Sequence, residues 1–211
     1  MERINKMIVT ENFYIGYRDV DSNLKITNTA ILNIFEDVAG IHAAKAGQGF
    51  NKNSKTTWIL TGYKVKILKR PKYSERVKVN TWSSELKNIT ASREFEILNE
   101  KNEVLILGLS NWAHINIQTK KLEKVDPEIA KAYETETEKT NFDCNKIKKI
   151  SEPEEYLYTK QYTIDWNWID GNNHMNNIYY MELARNGIAR RDKERKWFFF
   201  NRYYVQKRNK I

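Results

Sequence analysis

The stretch Ile169–Asn177, IDGNNHMNN, combines residue types that acid–base chemistry uses. Its histidine, His174, is the kind of side chain that most readily takes up or releases a proton near neutral pH. Asp170 precedes it, and the amides of Asn172 and Asn176 can hold a water molecule or a carbonyl oxygen. Asparagines and Asp-Gly pairs are also common in turns and at helix N-caps. By itself, the stretch therefore leaves a catalytic loop and an ordinary turn both open.

An apolar stripe predicts a long helix between Asn28 and Ala46, ending near Gly47. The stripe consists of Ile31, Ile34, Phe35, Val38 and Ile41.

Four later stretches alternate apolar and polar residues over much of their length, which predicts strands. They are Thr56–Leu68, Glu75–Trp82, Ile89–Leu98 and Val104–Ile117. The segment Glu100–Glu103 between the last two predicts a hairpin turn. One long helix and several antiparallel strands predict an α+β fold in which a curved sheet wraps the helix.

The rest of the chain divides into a polar segment and a second unit. Residues 121–155 are mostly charged and polar and predict a linker, which separates residues 1–120 from residues 156–211. Within the second unit, Tyr156–Asp170 predicts a strand and the residues from Asn176 onward predict a helix start.

The two units share a short repeated pattern that predicts an internal duplication. Tyr17–Leu32 and Trp166–Met181 align without gaps at an offset of 149 residues. The matched polar pairs are Asp21 with Asp170, Asn23 with Asn172 and Asn28 with Asn177. Lys25 stands where the second copy has His174, and a charged lysine cannot accept a proton. Any acid–base chemistry at this pattern is therefore expected only in the second copy.

Composition and charge limit the classes of protein to which this chain can belong. Hydrophobic residues make up 40% of the 211 residues, as in a globular protein, and no stretch approaches the length of a membrane span. Ten basic and two acidic residues from Arg185 to Ile211 account for +8 of the net charge of +9. We interpret this basic tail, residues 185–211, as a solvated surface and not as a nucleic-acid or membrane site. Cys144 is the only cysteine, which predicts a cytoplasmic protein without a multi-cysteine metal site.

A strand, then D-x-N-x-H-x-N-N, then a helix opening with an aromatic residue resembles the second half of the acyl-acyl carrier protein thioesterases. Trp58–Trp82 and Ser110–Ala130 resemble strands and turns of the same family, and the similarity runs from about residue 10 to residue 184. The resemblance implies a tandem hotdog fold, in which each hotdog is a long helix wrapped by a curved antiparallel sheet. Because the similarity ends after Ala184, we expect the second hotdog to be incomplete.

The resemblance also implies a reaction, the hydrolysis of acyl-acyl carrier protein to a free fatty acid in fatty acid biosynthesis. It places the catalytic residues at Asp170, Asn172 and His174, with His174 as general base on water. The implied partner is an acyl carrier protein bearing a fatty acyl thioester, without metal or cofactor. We expect the acyl group to contact Ile34, Phe35, Val38, Trp58 and Asn176.

The sequence departs from the family in one respect. The plant members have an acidic residue and a cysteine about 35 residues beyond the histidine, where this chain has Arg208 and Asn209. A non-hydrolytic acyl-binding protein and a thioesterase for acyl-coenzyme A therefore remain alternatives. An open sheet edge in the second unit would also allow a homodimer.

Overall fold

The structure, a computed structural model, describes residues 7–51, 53–144, 147, 161–171, 173–187 and 197–201. Its strands are β1 (Val9–Tyr14), β2 (Thr56–Ile67), β3 (Arg76–Lys87), β4 (Thr90–Leu98), β5 (Val104–Asn116) and β6 (Trp197–Asn201). Its α-helices are α1 (Asn28–Lys45), α2 (Pro127–Ala132) and α3 (Asn177–Gly187). None of the helices in this part of the chain has the length and hydropathy needed to span a membrane.

Helix α1 forms where the apolar stripe predicted it. Thr27 caps its start by accepting a hydrogen bond from the backbone N–H of Ala30 at 3.1 Å. Just beyond its end, Gly47 has φ of +70°, a left-handed conformation that glycine adopts without a Cβ penalty. The predicted helix is thus confirmed to within one residue at its C-terminus.

The strands form one antiparallel sheet in the order β1-β3-β4-β5-β2-β6. The predicted hairpin between β4 and β5 is confirmed, since the backbone N–H of Asn99 donates to the carbonyl of Glu103 at 3.0 Å. Strand β3 extends beyond the predicted Trp82 to Lys87, because its pairing with β4 continues past a bulge at Ser83. The sheet wraps α1, as the predicted α+β fold requires.

The core lies between α1 and the sheet. Phe35 of α1 is fully buried and stacks on Phe95 of β4 with ring centroids 4.3 Å apart. A Cβ atom added to Gly108 of β5 would lie 2.4 Å from Cε2 of Phe35. The absence of a side chain at this strand position is what lets the phenyl ring reach the sheet.

The segment predicted as a linker packs against the sheet over much of its described length. Asp126 caps α2, and Tyr133, which follows the helix, is buried. Glu96 lies on the sheet face opposite Phe95, and its carboxylate pairs with Lys139 at 2.8 Å. The chain therefore continues across the face of the sheet that points away from α1, where Phe142 is also buried.

The second unit has less regular structure than predicted. Residues 161–165 form no strand and Trp166–Trp168 forms a 3₁₀ turn, so the strand prediction is wrong for these residues. Residues 156–160 lie outside the described residues. The predicted helix start is confirmed by α3, from which Ile178 and Met181 join the core. Strand β6 falls within the predicted basic tail and pairs with Gly62–Lys66 of β2.

Candidate active site

The repeated pattern folds into two matching turns, called here the first junction (residues 17–28) and the second junction (residues 166–177). Each opens with a 3₁₀ turn, at Tyr17–Asp19 and Trp166–Trp168, and each ends at the start of a helix, α1 or α3. Leu24 and Asn173, which are 149 positions apart, have φ of 57° and 58°. The two copies therefore share an uncommon left-handed residue at the same position.

The hydrogen bonds of the two junctions also correspond. The backbone N–H of Asp21 donates to the carbonyl of Lys25 at 2.9 Å, and that of Asp170 donates to the carbonyl of His174 at 2.8 Å. In return, Oδ1 of Asp21 accepts from the N–H of Lys25 at 3.1 Å, and Oδ1 of Asp170 accepts from the N–H of His174 at 3.3 Å. The aspartate closes the turn in both copies, so this contact of Asp170 fixes the backbone that carries His174.

Asn176 connects the second junction to α1. Its Oδ1 caps α3 by accepting from the N–H of Ile178 at 2.9 Å, and its Nδ2 donates to Oε2 of Glu36 at 3.2 Å. Burial raises the pKa of Glu36 to about 7, an effect that Asn176 opposes and the nearby Asp170 reinforces. Glu36 is a site residue that the sequence analysis missed, since its neighbours in the fold are 140 residues away in sequence.

His174 lines a cavity of about 430 Å³, called here the His174 cavity. Apolar and aromatic side chains form much of its wall, and among them are Phe50, Trp58, Leu60 and Ile115. A half-buried imidazole beside such a wall can meet an acyl group and still reach solvent.

A second cavity, of about 480 Å³, lies between α1 and the sheet and is called here the Arg93 cavity. It shares Trp58, Asp170 and Asn177 with the His174 cavity, so the two adjoin at the second junction. Glu36 and Arg93 line it as well. It therefore combines an apolar wall with charged groups.

The predicted acyl-contacting residues lie in different surroundings. Trp58 lines both cavities, and Asn176 lines the Arg93 cavity. Ile34, Phe35 and Val38 are buried in the core cluster. The residues that α1 presents to the Arg93 cavity are Glu36, Ala39, Gly40 and Ala43.

The remaining candidates are buried, exposed or outside the described residues. Asn172 lies outside the described residues. His114 is buried, with Nδ1 3.0 Å from the carbonyl of Glu123, and Cys144 is exposed. His42 is buried as well and contacts Arg93. Across the described ranges, no three histidine, cysteine or acidic side chains are grouped closely enough to hold a metal ion.

Comparisons of the sequence with known proteins find one family. A profile described as "Acyl-ACP thioesterase N-terminal domain" matches residues 6–133. A chloroplastic acyl-carrier-protein hydrolase of Cuphea viscosissima is 24% identical over 183 residues, which are 81% of this chain and 44% of the relative. A chloroplastic oleoyl-acyl carrier protein thioesterase of Coriandrum sativum is 26% identical over 200 residues, which are 85% of this chain and 53% of the relative. The chain thus spans about half the length of these curated relatives.

Solved structures show the same fold. An acyl-ACP thioesterase from Bacteroides thetaiotaomicron superposes with a TM-score of 0.68 at 24% identity, covering 86% of this chain and 74% of the other. A 12:0-ACP thioesterase from Umbellularia californica superposes with a TM-score of 0.71 at 20% identity, covering 83% of this chain and 72% of the other. The expected hotdog architecture is therefore confirmed.

Proposed function

Since the chain belongs to the acyl-acyl carrier protein thioesterase family, we propose that it hydrolyses the thioester of acyl-acyl carrier protein with His174 as general base. The substrate is a fatty acyl group on an acyl carrier protein, and the product is a free fatty acid. The reaction releases acyl groups from fatty acid biosynthesis.

The observation that carries the proposal is the contrast between the two junctions. The same turn, closed by the same aspartate contact, presents Lys25 in one copy and His174 in the other. The copy with histidine places it on a cavity with an apolar wall, where an acyl group would be bound. The copy that carries a proton acceptor is thus the copy beside the His174 cavity.

The proposed reaction needs no group beyond water and this chain. His174 takes a proton from water as the water oxygen attacks the thioester carbonyl carbon, which gives a tetrahedral oxyanion. Helix α3 begins at Asn177, and the partial positive charge at its N-terminus favours that oxyanion. The carbon–sulfur bond then breaks, and His174 returns the proton to the leaving thiolate. In this scheme Asp170 holds the turn and Asn172 orients the water or the carbonyl.

The proposal is tested by incubating the purified full chain with a panel of acyl-acyl carrier proteins and measuring fatty-acid release. We expect His174→Ala to lower kcat by roughly 10²–10⁴-fold, the usual contribution of a positioned general base. Lys25→Ala, which changes the equivalent position of the first junction, is the matched control and should retain wild-type kcat.

Three outcomes contradict the proposal. Fatty-acid release that does not depend on His174 would remove its catalytic role. Binding of acyl groups without release from any carrier protein would indicate a non-hydrolytic protein, and faster hydrolysis of acyl-coenzyme A would change the substrate class.

The same proposal includes a cytoplasmic location, because a chain with a single cysteine, Cys144, cannot form the internal disulfides that are common in oxidising compartments. Fractionation of the source cells checks it, and recovery of the protein in another compartment would contradict it.

A further inference from the structure

We propose that the Arg93 cavity is a subsite for an acyl chain that carries a hydrogen-bond-accepting oxygen, with a carboxylate as the best ligand. This inference rests on the proposed function, since it assumes that an acyl group extends from the second junction into the adjoining cavity. It adds a class of substrate, oxygen-bearing acyl groups, to the proposed hydrolysis.

Arg93 is a buried cation on the wall of this cavity, and its described partners are all uncharged. The residue is only 7% exposed. Its Nη1 lies 2.5 Å from Nδ1 of His42 and 3.3 Å from Oγ1 of Thr81, and its guanidinium carbon lies 5.9 Å from the ring centre of Tyr133. None of the ion pairs found among the described residues includes Arg93.

The guanidinium keeps its charge despite this burial. Desolvation lowers the pKa of Arg93 to about 10, which still leaves it protonated at neutral pH. A buried charge without a counter-ion is costly, and an anion that reaches it recovers much of that cost. Both hydrogen bonds described for the guanidinium use Nη1, so donors at Nε and Nη2 remain for a ligand.

His42 does not supply the missing negative charge. Burial, with Arg93 and Lys45 adding to it, lowers the pKa of His42 to about 3, so the imidazole is neutral and Nδ1 accepts from Arg93. Its Nε2 is buried without a hydrogen-bond partner in the described part of the chain. The pair therefore presents donors and a net positive charge to its surroundings.

The charges of the Arg93 cavity also give the ligand a direction. Ser83, Ser92 and Tyr133 line it together with Arg93, whereas the second junction contributes Asp170, and α1 contributes Glu36. A carboxylate is attracted by the guanidinium of Arg93 and repelled by Asp170 at the second junction. A chain that ends in a methyl group would leave the donors at Nε and Nη2 of Arg93 without an acceptor from the ligand.

The test uses acyl amides, which lack the thioester and so report binding alone. Primary amides of increasing chain length are compared as matched pairs that end in a methyl group or a carboxylate, with hydroxyl-ended amides as a third arm. Isothermal titration calorimetry with the full chain measures each Kd. At the chain length that binds most tightly, we expect the Kd of the carboxylate-ended amide to be at least about tenfold lower than that of the methyl-ended amide. The reason is that the carboxylate can form a charge-assisted hydrogen bond with Arg93.

Two variants test whether Arg93 causes the carboxylate preference. Arg93→Met should abolish the preference, and Arg93→Lys should retain part of it, because lysine keeps the charge but not the planar donor set. Arg76→Gln, which removes an exposed arginine at the start of β3, is the matched control and should leave the preference unchanged.

The proposal is overturned if the wild-type protein binds the methyl-ended amides as tightly at every length, a result that does not require any variant to fold. It is also overturned if folded Arg93→Met keeps the preference. Fatty-acid release from methyl-ended substrates without a carboxylate preference would reject the subsite and leave the proposed function in place. A carboxylate preference without hydrolysis of any thioester would support the subsite and reject the proposed function.

Discussion

At the scale of single residues, the two junctions differ at the position for which we propose a catalytic role. Lys25 and His174 occupy the same place in the same turn, and their backbone N–H groups both donate to an aspartate. The fold therefore tolerates either side chain, and only the histidine can act as a base at neutral pH. Conversely, Asp170 makes the contact that its non-catalytic counterpart makes, which favours a positioning role for it.

We expect Asp170→Ala to lower kcat by roughly 10- to 100-fold with little change in KM, because a loosened turn no longer holds His174 in position. Steady-state kinetics on acyl-acyl carrier protein measure this split. Asp21→Ala removes the corresponding contact of the first junction and should cost about 1 kcal/mol of unfolding free energy without changing kcat. Equal loss of kcat in both variants would mean that Asp170 acts only on stability.

Glu36 makes stability depend on pH. Its pKa is about 7 in the folded chain against an ordinary value of 4.5, so the folded state holds the proton over this interval. The contribution of Glu36 to stability is therefore complete below pH 4.5 and is lost as pH rises through about 7.

Glu36→Gln should remove this dependence, since glutamine does not ionise. The unfolding free energy of the variant minus that of wild type should rise by about 1–3 kcal/mol from about pH 5 to about pH 8. Urea unfolding at both pH values measures the difference, with Glu100→Gln in the exposed hairpin turn as control. A gain that is the same at both pH values would contradict the assignment.

At the scale of elements, α1 is held to the sheet by a close approach to β5. Phe35 fits over Gly108 so tightly that any Cβ there would overlap the ring, and the stacked Phe95 leaves the ring little room to move. This contact explains why a glycine interrupts the apolar run Val104–Leu109 of β5.

Gly108→Ala should destabilise the protein by about 1–3 kcal/mol, because the ring must leave its packed position or the strand must shift. Thermal unfolding measures the loss. Gly40→Ala is the matched control, since its added Cβ meets nothing within 4 Å and alanine favours a helix. That variant should be neutral or more stable, and an equal loss at both glycines would contradict the packing argument.

At the scale of the whole molecule, the segment after α2 contacts both faces of the sheet. Tyr133 packs at 5.5 Å from the ring of His42 on the side of α1, while Lys139 binds Glu96 on the other side. The indole Nε1 of Trp82 also donates to the carbonyl of Lys139 at 2.9 Å. The segment therefore contributes to the stability of the first unit.

Phe142→Ala should lower the unfolding free energy by about 3 kcal/mol, because it removes a buried ring from this segment. Tryptophan fluorescence and circular dichroism should report one shared transition at a lower temperature. Leu122→Ala, at a side chain that is 58% exposed, is the control and should change the free energy by less than about 0.5 kcal/mol. An unchanged melting temperature for Phe142→Ala would mean that the segment is only a tether.

The sequence by itself determined α1, the strands β2 to β5 and the repeated junction. Periodicity located α1 and the strands β2 to β5, because burial on one face imposes a period that can be read residue by residue. The offset of 149 residues predicted the matching turns, and the exchange of Lys25 for His174 made His174 the candidate base. These features depend on neighbours in the chain, so local patterns are sufficient to find them.

Only the tertiary structure decided what surrounds the histidine. Glu36 meets Asn176, and Arg93 meets His42, across 140 and 51 positions of the chain. The residues around Trp166 read as a strand by composition but form a 3₁₀ turn, because the turn leads into α3 as its counterpart leads into α1. Burial and charge at a cavity depend on which distant segments pack together, and no periodicity within one segment records that.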